Sequence, residues 1–333
     1  MTVPSTNYSD IRFGTHSNAE RYCWVAYFLF GLLSTVIGDN LILYATFQRS
    51  AFKVNKSIVI IIQHIAVCDL GFALFSALPS AISLIANRWI LGDGLCYVRL
   101  YAAHYVYPAG MSLIMLLTTT KFLIMKFPFR SARWTPKRVH LVCAVTWVFS
   151  LSVNILKLAV DKDDVAFDYR FYTCEYGYRD SRWKTIGTVS YLIILFGPNL
   201  VIVATTVPTL SYIARARKAA RKVRGSVPWQ GALAVALTAM VYCISTLPYT
   251  LYQVIIFMDE DHPARFHADP LFRASYFVLV INVIANFYIY ILTIRSFRRF
   301  IFKKFFGVQV PLSLQSIGRA SFATGNVQTA YLA

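Results

Sequence analysis

The feature that most constrains this chain is repetition: seven times it runs through a mainly apolar stretch about as long as a bilayer-crossing helix, roughly 20 residues. The stretches cover approximately residues 23–47, 57–84, 94–125, 139–160, 185–213, 231–258 and 271–294. The expected fold class is an all-α membrane protein, a seven-transmembrane helix bundle. Composition agrees, with 57% hydrophobic and 14% charged residues, against about 25% charged in a soluble domain. Pro79, Pro108, Pro198 and Pro248 fall within the stretches, and buried helices tolerate them when neighbours satisfy the freed backbone groups. The third stretch is diluted by His104 and several tyrosines; without it, six spans would leave both termini on one side.

The formal net charge of +18 would suit a nucleic-acid binder, but a basic soluble surface has no use for membrane-length apolar runs. No nucleic-acid partner is expected. The charge is sorted instead. Alternate gaps hold Arg49, Lys53 and Lys56; Lys126, Arg130, Arg133, Lys137 and Arg138; and Arg215, Arg217, Lys218, Arg221, Lys222 and Arg224. The tail adds Arg295, Arg298, Arg299, Lys303, Lys304 and Arg319, and none of these segments contains an Asp or Glu. The opposite gaps are mixed: Asp93 with Arg88 and Arg99, the run from Asp161 to Lys184, and Asp259, Glu260, Asp261 and Asp269. Basic residues mark the cytoplasmic side. The amino terminus is therefore expected outside and the carboxyl terminus in the cytosol of a multi-pass plasma-membrane protein, its basic face attracted to anionic inner-leaflet lipid.

Three parts follow: an extracellular segment over 1–22 with no visible signal peptide, a helical domain over 23–306, and a cytoplasmic tail over 307–333. The tail is polar and expected to be disordered, with Ser313, Ser316, Ser321 and Thr324 as phosphorylation positions. Asn7 opens a glycosylation sequon on the outer side, whereas the one at Asn55 lies on the cytosolic side. Cys68, Cys143 and Cys243 lie within spans as small hydrophobes, and Cys23 sits at the outer edge of the first. Cys96 and Cys174 share the oxidising side; a disulfide between them would tie the second outer loop to the third helix. From Asp168 to Tyr176 that loop interleaves aromatic and polar residues, which fits a short β-hairpin over the bundle mouth as well as an irregular loop.

Several landmarks then fall in a familiar order. The first span holds Gly38-Asp39-Asn40 and the second Ile65-Ala66-Val67-Cys68-Asp69-Leu70. Trp89, Gly92 and Cys96 follow, then Trp147, Pro198 and Pro248. The seventh span reads Asn282 to Asn286, Phe287, Tyr288, Ile289, Tyr290, and Phe297-Arg298-Arg299-Phe300 comes after it. Over residues 23 to 306 the chain resembles a rhodopsin-like (class A) G-protein-coupled receptor, as a divergent member. The resemblance implies a cell-surface receptor that passes an extracellular ligand's signal to a heterotrimeric G protein or arrestin, and not an enzyme. Phe297, Phe300, Ile301 and Phe305, with basic residues between them, fit the family's short amphipathic eighth helix at the inner interface.

The same resemblance assigns roles. Asp69, an acid in the membrane core and functional by default, takes the family's sodium- or proton-binding position, with Asn40, Asn282, Asn286 and Tyr290 around it. Asp39 is an unusual second acid. The third-helix position that supplies a hydroxyl to the ion is Gly110 here, so the sodium site departs from the family's. Thr120, Lys121 and Phe122 fall on the G-protein-facing Asp-Arg-Tyr motif; Thr120 cannot form the resting ion pair, and Lys121 lacks the planar guanidinium. Thr246 replaces the sixth-helix Trp, Thr206 the fifth-helix Tyr and Phe287 the seventh-helix Pro. The switch is thus largely rewritten. Either the receptor couples by a modified route, or it has diverged to weak or no G-protein coupling.

In the family's register the ligand cavity is lined by His104, Tyr107, Tyr191, Tyr249, Gln253 and Tyr276, with Ala103 where amine receptors carry an Asp. Val280 stands in place of the retinal-bearing Lys, so no retinal is expected, nor any cofactor beyond the ion question at Asp69. An aromatic, uncharged cavity below acid-bearing outer loops favours a peptide carrying basic residues, with a lipid or small odorant as alternatives. No His-Glu-x-x-His, Gly-x-Ser-x-Gly or phosphate loop is present, and the scattered histidines suggest no metal centre. A small transporter relaying protons through Asp39 and Asp69 is the rival class, though the chain shows no internal repeat of the kind common in transporters.

Overall fold

Helices form because the apolar stretches carry few breakers and must satisfy their backbones internally. The computed structural model describes residues 18–48, 55–127, 134–161, 165–168, 173–176, 181–222, 230–258 and 270–307. Helix α1 spans Asn18–Thr46, and α2 (Lys56–Phe72) runs through a π-helical turn, Ala73–Ala77, into α3 (Leu78–Ala86). Then follow α4 (Gly92–Lys126), α5 (Pro136–Asp161), strands β1 (Val165–Asp168) and β2 (Thr173–Tyr176), and α6 (Ser181–Lys222). Helices α7 (Gln230–Met258), α8 (Pro270–Thr293) and α9 (Arg295–Phe306) complete the order. Among the described residues, six spans are long and apolar enough to cross a membrane on their own terms. The seventh, α8, has 24 residues, about 36 Å at 1.5 Å per residue, and breaks by 95° into α9.

The spans sit where the sequence places them, with one consequential shift. Helix α6 runs for 42 residues, about 63 Å, so Arg215, Arg217, Lys218, Arg221 and Lys222 extend a helix instead of lying in a gap. The basic stretch continues α6 as helix. The third span also stands: α4 carries Pro108 in its interior and remains one helix of 35 residues.

Packing closes the bundle around α4. It lies against α2, α5 and α6, while α1 packs on α8 and α8 on α7. The main core gathers Ile42, Ile61, Ile65, Ile114, Leu117 and Ile202 with Tyr242 and Tyr290. A smaller cluster near the disulfide end joins Phe28, Ala77, Ala81, Leu84, Phe277, Val280 and Ile284. There Trp24 stacks on Phe277 with centroids 3.9 Å apart, and Tyr27 donates to the Phe277 carbonyl at 3.0 Å.

The hairpin expected between α5 and α6 forms, displaced by three residues from its expected start. β1 and β2 pair antiparallel from Val165 opposite Tyr176 to Asp168 opposite Thr173. Cys174 on β2 is bonded to Cys96 on α4, with Cα atoms 5.5 Å apart. Before it, the Trp89 indole donates to the Gly92 carbonyl at 2.9 Å, and Gly92 has φ +77°, a conformation that favours glycine. That motif sets the start of α4 and with it the height of Cys96.

Helix α9 is amphipathic in fact. Phe297 and Ile301 are buried while Lys303 and Lys304 are exposed, and Gly307 closes it at φ +65°. Phe300 lies 5.9 Å from Tyr44 of α1, ring to ring. Asn7, the tail over 308–333 and the acids at 259–269 lie outside the described residues.

Candidate functional site

Two sites stack along the bundle interior. The first is a cavity at the disulfide end, about 630 Å³ including its mouth, lined by Phe28, Phe72, Ser76, Arg99, Ala103, His104, Tyr107, Pro108, Tyr249, Leu279 and Val280. Of the six ligand residues expected from sequence, His104, Tyr107 and Tyr249 line it. The side chains of Tyr191, Gln253 and Tyr276 lie outside the described residues. Tyr107 is half-buried, with a shielded hydroxyl that has no hydrogen-bond partner among the described residues; Tyr242 is fully buried and its hydroxyl also has none there.

The expectation of an uncharged cavity is corrected by Arg99. Sequence places it in an outer gap; the structure places it inside α4, one turn below the disulfide and only 3% exposed. Its Nη1 donates to the Cys174 carbonyl at 2.8 Å and its Nη2 to Ser76 Oγ at 3.3 Å. The π-helical turn over Ala73–Ala77 contains Ser76, and so an irregularity in the helix positions the second acceptor. No hydropathy signal announces this, because an arginine next to a predicted boundary reads as solvent-facing.

The second site lies mid-bundle. Asn286 Nδ2 donates to Asp69 Oδ2 at 2.7 Å, joining α8 to α2. Asp39 is 1% exposed and within electrostatic reach of Asp69. Asn40 does not join them: its side chain is exposed on the outside of α1 and donates to the Val36 carbonyl at 2.6 Å. The correction has a simple cause. Helix rotation puts neighbouring residues about 100° apart, so when Asp39 faces the core Asn40 cannot. Asp39 Oδ2, Asn282 Oδ1 and Asn286 Oδ1 are buried and meet no donor among the described residues. Tyr290 is buried 1% exposed on the same face of α8.

The rewritten switch residues are all packed. Thr246, fully buried, donates to the Tyr242 carbonyl at 2.9 Å and reaches Asn199 Oδ1 at 3.2 Å, tying α7 to α6. Phe287 lies against Gly38, where an added Cβ would stand 2.6 Å from its Cβ, and meets Phe297 of α9 edge-on at 6.2 Å. Thr120 is 2% exposed with an Oγ1 that has no partner among the described residues, while Lys121 and Phe122 are half-buried. Gly110 faces Cys68, and a Cβ there would sit 3.8 Å away in ordinary contact.

Sequence reasoning also missed a partly exposed polar chain between α2 and α5. The Trp147 indole donates to His64 Nδ1 at 3.1 Å, and His64 Nε2 lies 3.4 Å from His140 Nδ1. The indole proton fixes His64 with its remaining proton on Nε2, which turns that nitrogen into a donor and away from metal ligation.

The described helices form a membrane-type bundle with a cavity at the disulfide end, a core acid and an amphipathic helix after the last span. The family model described as "7 transmembrane receptor (rhodopsin family)" matches residues 38–290, and the chain belongs to that family. It is 26% identical over 181 residues to Cephalotocin receptor 1 of Octopus vulgaris, covering 54% of this chain and 43% of that one. It is 24% identical over 145 residues to Cysteinyl leukotriene receptor 2 of Homo sapiens, covering 43% and 41%. The chain spans about half the length of the curated relatives it matches first. The crystal structure of squid rhodopsin superposes with a TM-score of 0.72 over 93% of this chain and 90% of that one, at 15% identity. That likeness establishes the fold.

Proposed function

We propose that the protein is a plasma-membrane receptor that carries the binding of an extracellular ligand to a cytosolic G protein or arrestin, with the disulfide end outside and the basic end in the cytosol. The observation that carries the reading is the stacking of both sites along α4 and its neighbours. The cavity sits at one end, the Asp39–Asp69–Asn286 group beneath it, and Thr120 and Lys121 at the other. The sorting of Lys and Arg to one end supports the orientation.

The activation route is a modified one. Thr120 offers Lys121 no carboxylate, so the resting restraint rests on packing: Thr246 against Asn199, and Phe287 against Gly38. In the mid-bundle site the residues present fit a cation or proton. Asp39, Asp69, Asn282 and Asn286 would hold a monovalent cation or a shared proton, which would neutralise two carboxyls that hydrocarbon burial otherwise penalises. We do not propose a transport role for these acids. The second reading, divergence to weak coupling, is favoured by Thr120 alone.

A basic peptide is the ligand that acid-bearing outer loops above an aromatic, uncharged cavity favour. Arg99 adds a positive charge to that cavity, and the side chains of the acids in the second and third outer loops lie outside the described residues. The relatives are named for cephalotocin and for cysteinyl leukotrienes, so kinship does not choose. The experiment is a cell assay of the surface-expressed receptor with separate G-protein and arrestin readouts. Basal G-protein activation above a mock control supports the proposal. Arrestin recruitment without it supports the second reading, and silence in both overturns the receptor role.

A further inference from the structure

At the basic end of the bundle one proline is set apart by its neighbours. Of the 12 prolines in the chain, only Pro136 follows a serine or threonine, in the run Trp134-Thr135-Pro136-Lys137-Arg138. Pro136 opens α5, where a missing N–H costs the helix nothing. The same missing N–H matters to an enzyme that reads the chain from outside. A kinase that must bond the amide after its target hydroxyl is shut out, whereas one with an apolar slot at that place accepts the ring. Lys137 and Arg138, second and third after the hydroxyl, then suit an acidic groove.

The structure presents this run to solvent: Thr135, Pro136, Lys137 and Arg138 are all exposed. Thr135 Oγ1 accepts from the Arg138 N–H at 3.4 Å, longer than the roughly 2.7–3.2 Å of a firm N–H···O bond. The Thr135 carbonyl accepts from the Val139 N–H at 3.1 Å. These bonds tie Thr135 to the first turn of α5, and helix ends open at little cost, so the run can extend into an enzyme's groove. Beside it, Ser57 Oγ donates to the Trp134 carbonyl at 3.4 Å, which sets the start of α2 and its exposed Lys56 next to the same run. Residues 49–57, 126–138, 214–230 and 295–333 contain no Asp or Glu. A phosphate on Thr135 would have lysine and arginine as sequence neighbours and no carboxylate to repel it.

We propose that Thr135 is a phosphorylation site for a proline-directed serine/threonine kinase. Thr135 Oγ1 attacks the γ-phosphorus of ATP, the bond from that phosphorus to the β–γ bridging oxygen breaks, and ADP leaves; the hydroxyl proton passes to the kinase's base. The product carries about −1.5 to −2 charge at pH 7, set among the positive charges of this face. That ATP and kinases reach the face rests on the orientation proposed above, with the basic end in the cytosol.

The test incubates the purified full-length receptor in phosphatidylcholine nanodiscs with ATP and a cyclin-dependent kinase, and locates phosphate by mass spectrometry of its peptides. Thr135 should be labelled. Pro136→Ala should slow the labelling about tenfold or more, the scale on which one apolar pocket contact discriminates. Lys137→Ala with Arg138→Ala should slow it severalfold. Thr135→Val should abolish the label, and Thr135→Ser, which keeps a hydroxyl at the start of α5, should retain it. An unlabelled Thr135 in the receptor overturns the proposal, and label on a free peptide of residues 129–142 alongside shows that the start of α5 is closed to the enzyme. Labelling of Thr135 at the parent's rate in Pro136→Ala overturns it too. The nanodisc result is indifferent to orientation, so the two readings part in cells. Phosphate on Thr135 of receptor recovered from intact cells supports both. Phosphate there only after kinase and ATP are added outside the cells keeps the site and sinks the orientation, and absence from both cell samples overturns the site.

Discussion

Asn286 and Asp69, 217 positions apart in sequence, meet at 2.7 Å in the middle of the bundle. The bond locks α8 to α2 where both residues are almost fully buried, 2% and 6% exposed. Replacing Asn286 with Leu leaves a carboxyl in the core without its amide donor. Unfolding of the purified receptor should show a loss of about 1–3 kcal/mol. Asn286→Gln, which keeps the amide on a longer arm, should lose less.

Asp39 beside Asp69 makes a like-charge pair, and only a shared proton or a cation relieves it. Asp39→Asn removes one acid and keeps a polar side chain of the same shape. This variant should unfold at a higher temperature than the parent, by a difference worth about 1 kcal/mol or more. Comparing sodium chloride with choline chloride separates the two neutralising agents. A bound sodium ion stabilises the parent only in sodium chloride and not Asp69→Asn; a shared proton gives equal temperatures in both salts.

Gly38 is held to glycine by Phe287. A Cβ on residue 38 would approach the Phe287 Cβ to 2.6 Å and its Cγ to 2.8 Å, atoms too near the backbone to swing aside. Overpacking of this kind costs about 1–3 kcal/mol. Alanine is the better helix former by about 1 kcal/mol, so a net loss in Gly38→Ala shows that the clash wins. Phe287→Ala in the same chain should recover most of it, and a double-mutant cycle measures the coupling.

The fold was legible because its signals are long. An apolar stretch of 20 residues survives a few misplaced boundaries, and charge asymmetry sums over dozens of side chains. The site was legible only where the register was pinned by a neighbour. His104, Tyr107 and Tyr249 line the cavity because Cys96 and Pro248 fix the phase of their helices. Asn40 was misplaced by one position, which on a helix is a rotation of about 100°, enough to turn core into lipid face. Arg99 was missed for a different reason: its burial depends on the hairpin folding over it and on a π-helical turn presenting Ser76. Those are tertiary facts that hydropathy does not carry. The Trp147–His64–His140 chain, across three distant positions, was invisible for the same reason.

Thr120 and Lys121 should report on the modified switch. Thr120→Asp would give Lys121 the carboxylate that the family's motif supplies, and should lower basal G-protein activation severalfold if packing alone now sets the resting state. Lys121→Arg restores the planar guanidinium and should raise activation without changing surface expression. A receptor indifferent to both changes in a G-protein activation assay would not use this end of α4 for coupling.

Cys96 and Cys174 close a loop of 78 residues, and loss of a bond spanning that length costs about 2–5 kcal/mol in the chain-entropy account. The structure shows a second tie, because the Cys174 carbonyl is also the Nη1 acceptor of Arg99. Cys174→Ser removes the covalent tie and keeps the carbonyl, whereas Arg99→Gln keeps the disulfide and removes the charged donor. Thermal unfolding should therefore rank the parent above Arg99→Gln, and Arg99→Gln above Cys174→Ser. Reducing agent should lower the parent and Arg99→Gln toward the Cys174→Ser value and leave Cys174→Ser unmoved. If reduction destabilises Cys174→Ser as strongly as the parent, the hairpin is not what the disulfide holds in place.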